Sequence, residues 1–205
     1  MLSAIFPPLK FTDFIEWYPE NGRYELINGC VFEMQPTGKH EEVTDFIGIS
    51  ITIESQRLKR PYMFPRHALV KAPEWETAYL PDVMVVNKNA LASEPLWEKY
   101  STITKGESIQ LIVEVVSTNW RTDYGYKLTD YEALGIHEYW VADYLGVGGR
   151  RYIGFPKQPT FTVYQLVDGE YQFQQFRGNE RIISPSFPEL NLTAQQIFNA
   201  DGNFT

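Results

Sequence analysis

The stretch from Ile109 to Asp143 constrains the fold most, because a strand, a helix and a second strand follow each other there with almost no filler. Residues 109–116 are nearly continuous in Ile, Leu and Val, the composition of a strand buried on both faces. Apolar residues recur at helical spacing over 121–134 until Gly135, a typical helix stop. Residues 138–143 have the aromatic and branched content of a strand. The unit has the length of a crossover connection and favours an α/β layer over a sandwich.

Signals before this unit predict the rest of a mixed α/β core. A short helix is predicted over 11–18, and Asn28-Gly29 between two strand-like runs predicts an N-terminal β-hairpin. Residues 87–108 are polar and without period, so we interpret them as a surface excursion. In chain order, the predicted core is a helix over 40–58, strands over 63–72, 79–86 and 109–116, a helix over 121–134 and a strand over 138–143.

Beyond Asp143 the pattern changes to shorter strand-like runs separated by turns. These runs cover 150–153, 160–166, 170–177 and 180–183, and a final helix capped by Thr193 is predicted over 193–198. At 205 residues the chain suits one domain. We therefore expect a single domain over 1–205, with a core of about 23–143 and a β-rich C-terminal extension of about 150–198.

Composition limits the classes of function. Aromatic residues make up 15% of the chain, which is typical of an ordered globule. Cys30 is the only cysteine, so neither an internal disulfide nor a cysteine-built zinc site is possible. The net charge of -8 argues against a broad basic face for nucleic acid, although it leaves room for a local basic groove. Because no long apolar run or signal-peptide pattern is present, we expect a soluble cytoplasmic protein without membrane contact.

Four charged residues stand out as candidates for chemistry. Glu114 interrupts an apolar strand, where an unpaired carboxylate costs several kcal/mol, so it needs a cation, a donor or solvent. Asp82 follows Pro81 at the start of a neighbouring strand, and two such carboxylates at one sheet end suit a hard cation such as Mg²⁺. Lys127, on the following helix, would stabilise negative charge there, and Glu25 lies in the hairpin.

Each candidate also has a purely structural interpretation. Asp82 suits a turn after proline, and Glu25 could pair with Arg23 or Lys39 on an exposed hairpin face. Lys127 stands at i, i+4 spacing from both Asp123 and Tyr131, an ordinary arrangement on a helix surface. His40, beside Glu41 and Glu42, suits the first turn of a helix. The residue types alone leave both interpretations open.

The same segments resemble a known family. The resemblance, which covers most of the chain, lies in Pro81-Asp82, in 114–117, in 122–131, in 135–143, in Arg23-Tyr24-Glu25-Leu26-Ile27-Asn28-Gly29, in His40 and in 184–190. Together these residues are similar to the Uma family of putative restriction endonucleases. That family resembles the PD-(D/E)xK nuclease superfamily, whose core order of helix, three strands, helix and strand equals the order predicted above.

The resemblance implies roles for these residues. Asp82 and Glu114 would bind Mg²⁺ or Mn²⁺, with the main-chain carbonyl of Val115 as a further ligand, and the metal would activate water against a DNA phosphodiester. In the superfamily the lysine follows the second acid by two residues, but this chain has Val116 there. Lys127 matches the family's own lysine and is expected at the scissile phosphate. Glu25 and His40 match family positions and are expected to line the same cleft.

Two further interpretations stay open. The acidic net charge and Val116 are compatible with a nuclease-fold binding or structural module without useful catalysis, held as a homodimer through the aromatic-rich C-terminal strands. A metal-dependent hydrolase acting on another phosphate ester is the third interpretation. The chain has no glycine-rich GxxxxGK segment, so nothing indicates a nucleotide-phosphate loop.

Overall fold

The computed structural model describes residues 8–20 and 22–200. Within these residues eleven strands form two mixed sheets. The helices are α1 (Phe11–Trp17), α2 (Gly38–Arg57), α3 (Trp97–Tyr100), α4 (Leu128–Leu134), α5 (Arg150–Ile153) and α6 (Ala194–Asn199). The strands are β1 (Tyr24–Ile27), β2 (Cys30–Glu33), β3 (Tyr62–Met63), β4 (Leu69–Lys71), β5 (Ala78–Tyr79), β6 (Val83–Asn87), β7 (Thr102–Ile103), β8 (Ile109–Val115), β9 (Glu138–Asp143), β10 (Thr160–Val167) and β11 (Glu170–Phe176). A π-helix over Thr122–Lys127 leads directly into α4.

The predicted crossover unit is confirmed. Strands β8 and β9 are parallel neighbours, with Ile112 opposite Tyr139, and the π-helix and α4 connect them. Gly135 ends α4 in the left-handed conformation with φ of 82°, which a residue without Cβ adopts readily. The large sheet has the order β11-β10-β9-β8-β6-β3, and the small sheet has the order β2-β1-β5-β4-β7.

Alternation along β8 assigns its side chains to two different cores. Leu111, Val113 and Val115 pack on the face that α2 covers, in the cluster that contains Phe46. Ile112 lies on the opposite face with aromatic residues of the helical crossover. Because side chains alternate along a strand, Glu114 belongs to this second face. It therefore points toward the π-helix and α4 and away from α2.

The N-terminal hairpin is confirmed, and it positions the small sheet. Asn28 and Gly29 both have positive φ, 49° and 77°, as a two-residue turn of the favoured hand requires. Leu26 pairs with Val31 across the hairpin, and it pairs with Ala78 of β5 on the other side. Strand β1 thus lies between β2 and β5 in the small sheet, and β5 leads directly into the segment that carries Asp82.

Two predicted strands were wrong in their extent, because the chain passes between the sheets inside each of them. The stretch 63–72 divides into β3, in the large sheet, and β4, in the small sheet. The stretch 79–86 divides in the same way into β5 and β6 around Leu80-Pro81-Asp82. Proline has no main-chain N–H for a strand ladder, and Pro65 and Pro81 lie at the two breaks.

Two further predictions are corrected, one by the burial of its residues and one by their secondary structure. The stretch 87–108 is not wholly a surface excursion, because Thr102 and Ile103 are fully buried as β7. The predicted strand over 150–153 is a one-turn helix, α5, that buries Ile153 and places Tyr152 4.9 Å from the ring of Tyr124. Local branched and aromatic content favoured a strand there, but the contact with Tyr124 comes from a remote segment.

The two longest predicted strands of the β-rich C-terminal extension are confirmed as β10 and β11. Strands β10 and β11 extend the large sheet beyond β9. The predicted strand over 180–183 is reduced to one bridge between Arg181 and Thr193. The final helix is confirmed as α6, and Thr193 caps it together with Gln196. No helix in the described ranges has the length and hydrophobicity needed to cross a membrane.

Candidate active site

All five residues singled out in the sequence line one cavity of about 260 Å³. Glu25 comes from β1, His40 from the first turn of α2, Asp82 from the residue before β6, Glu114 from β8 and Lys127 from the end of the π-helix. The break at Leu80-Pro81-Asp82 and the crossover unit therefore carry side chains of both sheets to one place. The predicted convergence is a feature of the structure.

Lys127 is the centre of this cluster. Its Nζ lies 2.9 Å from Glu114 Oε2 and 3.0 Å from Glu25 Oε1. All three side chains are at most 2% exposed. The alternative interpretation, in which Glu25 pairs with Arg23 or Lys39 on an exposed face, is wrong because Glu25 is buried. Arg23 lies beside Glu41, and Lys39 pairs with Glu42. The side chain of Lys127 thus reaches from the helical crossover to the Glu114 carboxylate of β8.

The helix holds Glu114 at both oxygens. Tyr131, one turn after Lys127, donates its hydroxyl to Glu114 Oε1 at 2.8 Å, while Lys127 takes Oε2. Tyr139 of β9 donates to the carbonyl of Asp123 at 2.9 Å and so fastens the π-helix to the sheet. A π-turn places an extra residue in the helix and shifts the direction of the following side chains, and such turns are frequent at functional sites.

Asp82, His40 and Val115 form the second half of the site. Asp82 Oδ2 accepts the main-chain N–H of Val115 at 2.8 Å. His40 Nε2 lies 3.2 Å from Asp82 Oδ2 and 2.9 Å from the carbonyl oxygen of Val115. Arg23 lies at the edge, with Nη2 3.9 Å from Asp82 Oδ1. Val116, two residues after Glu114, is fully buried in the apolar core and contributes no charge.

Burial and charge together shift the pKa values in the first half of the site. Burial alone would lower the pKa of Lys127, but the surrounding carboxylates raise it well above the ordinary lysine value. Burial raises the pKa of Glu114 well above its ordinary value, although Lys127 opposes the rise. Burial also raises the pKa of Asp123 to about 7, again against the charge of Lys127. The cavity thus holds more carboxylate than its lysine neutralises.

In the second half of the site, Asp82 and His40 each stabilise the charged form of the other. Burial alone would raise the pKa of Asp82, but the hydrogen bond and charge of His40 lower it. Burial alone would lower the pKa of His40, but the Asp82 carboxylate and the Val115 carbonyl raise it. The two side chains therefore form an ion pair when His40 is protonated.

Three residues of the site were not predicted as functional. Asp123 is 8% exposed, and its Oδ1 lies 3.7 Å from the ammonium group of Lys127. Tyr131 binds Glu114, and Arg23 approaches Asp82. The i, i+4 spacing of Asp123, Lys127 and Tyr131 placed them on one helix face, but helical spacing is the same on a buried face and on an exposed one. Only the packing of that face against β8 distinguishes the two.

The donor atoms fit a hard divalent cation in type. Asp82 and Glu114 offer carboxylate oxygens and Val115 offers a carbonyl oxygen, the ligands that Mg²⁺ prefers. The excess of buried carboxylate also favours an added positive charge. Across residues 8–20 and 22–200, however, no three His, Cys, Asp or Glu side chains are arranged as a preformed metal centre. A metal would therefore rely on two carboxylates and the main chain.

Comparison with known proteins supports the fold and the family. A solved structure of a putative nuclease belonging to DUF820 from Anabaena variabilis is similar, with a TM-score of 0.71 and 17% sequence identity over 94% of this chain and 99% of that one. The mixed α/β fold is thus nuclease-like, as predicted. No curated protein matches the chain. The family model described as "Putative restriction endonuclease" matches residues 11–195, and the chain therefore belongs to the Uma2 family.

Proposed function

We propose that this protein is a metal-dependent endonuclease that hydrolyses phosphodiester bonds of DNA. The observation that carries the proposal is the position of Lys127, whose buried ammonium group meets Glu25 and Glu114 in the cavity that Asp82 also lines. A lysine on an exposed helix face would have argued against catalysis. Membership of a family of putative restriction endonucleases supports DNA as the substrate.

Asp82, Glu114 and the carbonyl of Val115 would hold the metal, which we propose to be Mg²⁺ or Mn²⁺. When bound, such a metal supplies positive charge at the phosphate and makes water a better nucleophile. Val115 contributes in two ways, because its N–H also orients the Asp82 carboxylate at 2.8 Å. The three ligands are adjacent in space because Asp82 immediately precedes β6 and β6 pairs with β8.

The side chains around the ligands position charge and protons. Lys127 keeps its proton, since the carboxylates around it raise its pKa, and so it presents a permanent positive charge to an anionic phosphate. Glu25 holds that ammonium group in place and also accepts the main-chain N–H of Leu80 at 3.2 Å. His40 orients Asp82 from the opposite side. Preorganised charge of this kind lowers the barrier to phosphoryl transfer.

Cleavage of supercoiled plasmid tests the proposal. We expect purified protein to nick the plasmid with Mg²⁺ or Mn²⁺ and to be inactive with chelator. Asp82→Asn should lose the activity while folding normally, because the amide oxygen can still accept the N–H of Val115. Asp13→Asn, a change on an exposed residue of α1, is the matched control and should cleave like the wild type. Metal-dependent nicking that persists in Asp82→Asn would overturn the assignment of Asp82.

Thermal unfolding separates the nuclease from a non-catalytic module of the same fold. A ligand that binds only the folded state stabilises it by about 2.7 kcal/mol at a hundred times its dissociation constant. We expect Mg²⁺ or Mn²⁺ to raise the melting temperature of the wild type and to have a smaller effect on Asp82→Asn and Glu114→Gln. A binding module would show no such dependence. The homodimer through the C-terminal strands stays a prediction, and sedimentation measures it directly.

A further inference from the structure

A second, larger cavity lies behind the helical segment that forms the active site. It has a volume of about 1090 Å³, against about 260 Å³ for the candidate active site. Its walls combine aromatic rings with arginines, and two of the rings are largely open to solvent: Trp75 is 71% exposed and Tyr126 is 58% exposed. We call this cavity the aromatic cleft; the lining residues that matter here are Trp75, Trp120, Arg121, Tyr126, Arg151 and Tyr152.

Three cationic side chains lie close to aromatic rings that line the aromatic cleft. The guanidinium carbon of Arg121 lies 4.6 Å from the ring centroid of Trp120, and that of Arg151 lies 4.4 Å from the ring centroid of Tyr152. The ammonium group of Lys157 also faces Trp120, at 5.9 Å. The three cations are exposed. A chain with a net charge of -8 thus places three cations beside Trp120 and Tyr152, two half-buried rings of the aromatic cleft.

Two carboxylates that line the aromatic cleft accept hydrogen bonds from other groups of the protein. Asp130 accepts the hydroxyl of Tyr79 at 2.6 Å, and Glu76 accepts the main-chain N–H of Phe11. The loop that carries Trp75 is also held, because Lys71 Nζ donates to the carbonyl of Trp75 at 2.8 Å. The exposed tryptophan therefore stands on an anchored loop. Because both donors are neutral, Asp130 and Glu76 keep their negative charge, and the lining of the cleft carries these two acids together with Arg121 and Arg151.

The aromatic cleft and the active site share a wall. Within the segment 119–127, Asn119, Asp123 and Lys127 line the active site, while Trp120 and Tyr126 line the aromatic cleft. Tyr79 separates the two cavities: its ring lines the cleft, and its centroid lies 5.6 Å from Nζ of Lys127. A strand bound in the cleft would lie next to the residues proposed to act on its phosphates.

We propose that the aromatic cleft binds an unpaired stretch of the DNA substrate, with bases stacked on its rings and phosphates beside its arginines. The inference rests on the proposed function and names its substrate class, single-stranded DNA or DNA with unpaired bases. Aromatic platforms combined with basic groups are the means by which proteins bind single strands without reading their sequence. A duplex keeps its bases stacked internally and offers no faces to these rings.

Fluorescence anisotropy in chelator tests the inference without any need for cleavage. The probes are a labelled twenty-nucleotide oligothymidylate, a duplex of the same length and a labelled proline-rich peptide, each with the full chain. We expect the single strand to bind more tightly than the duplex. Trp75→Ala and Tyr126→Ala should each weaken that binding about tenfold, because one stacked base contributes about that factor. Trp75→Phe keeps an aromatic ring and should restore most of the loss.

Matched controls exclude general effects of the changes. Phe173 is 60% exposed on β11 and lies outside the aromatic cleft, so Phe173→Ala should bind the single strand like the wild type. Arg121→Ala should reduce the salt dependence of binding by about one phosphate contact, whereas Arg60→Ala, on an exposed arginine elsewhere, should not.

Three results would overturn the inference: tighter binding of the duplex, wild-type affinity in both aromatic cleft variants, or binding of the peptide in place of the single strand. Because chelator removes catalysis from the assay, these results are independent of the plasmid experiment. Loss of cleavage with intact single-strand binding would count against the proposed function alone. Cleavage with unaltered affinity in the cleft variants would count against the aromatic cleft alone.

Discussion

Replacing Lys127 with methionine removes the central cation of the site. Its Nζ lies 2.9 Å from Glu114 and 3.0 Å from Glu25, and all three groups are buried. Each contact at about 3 Å corresponds to about 5 kcal/mol of Coulomb attraction at an effective dielectric constant of about 20, and desolvation offsets much of it. Removing one partner from a buried pair costs about 3–5 kcal/mol, and we expect a loss of that size at pH 8.

The loss should grow as pH rises. Lys127 opposes the effect of burial on Glu114 and Asp123, so the pKa values of both rise further in the folded variant. A carboxyl whose folded pKa lies above its unfolded value contributes stability below the unfolded pKa, and this contribution is lost as pH rises through the folded pKa. Below that range the protonated acids need no cation, so Lys127→Met should cost less at pH 5 than at pH 8.

Urea unfolding followed by tryptophan fluorescence at the two pH values measures this cost. With a slope of about 2–3 kcal/mol per molar urea, the midpoint at pH 8 should fall by about 1–2.5 M. Lys39→Met is the matched control, because Lys39 pairs with Glu42 at 3.1 Å with both side chains exposed, and such pairs contribute less than about 1 kcal/mol. A loss no larger than in this control, or one independent of pH, would refute the reasoning.

Three further variants test other parts of the structure. His40→Ala should cost more stability at pH 6 than at pH 9, because the pKa of His40 is raised and its contribution is lost as pH rises through that value; equal costs in urea would contradict the pairing with Asp82. Asp123→Asn should gain stability relative to the wild type between pH 4 and pH 8, since the pKa of Asp123 is about 7; a constant difference would count against its burial as an acid. Gly135→Ala, at φ of 82°, should lose about 1–2 kcal/mol and several degrees of melting temperature, whereas Gly38→Ala, with open space at its Cβ, should change little.

Elements that depend on local pattern were predictable from the sequence. The hairpin at Asn28-Gly29, the long helix α2 and the crossover unit from β8 to β9 all lie within a few residues of their predicted bounds. Each depends on periodicity or on turn residues within a short window, which the sequence displays directly. Asp82 and Glu114 became candidates for the same local reason, as carboxylates in or beside apolar strands.

Local sequence shows which residues need partners, whereas the packing of distant segments selects those partners. A carboxylate in the apolar strand β8 required a cation, a hydrogen-bond donor or solvent, but local spacing did not show that Lys127 would be its partner or that Glu25 would join it from the other sheet. Nor did local spacing show that Asp123 would be buried, or that the predicted strand over 150–153 would be a helix packed on Tyr124. Contacts between segments far apart in the chain depend on how strands pair and where the chain crosses between sheets, and composition within a window carries no information about either.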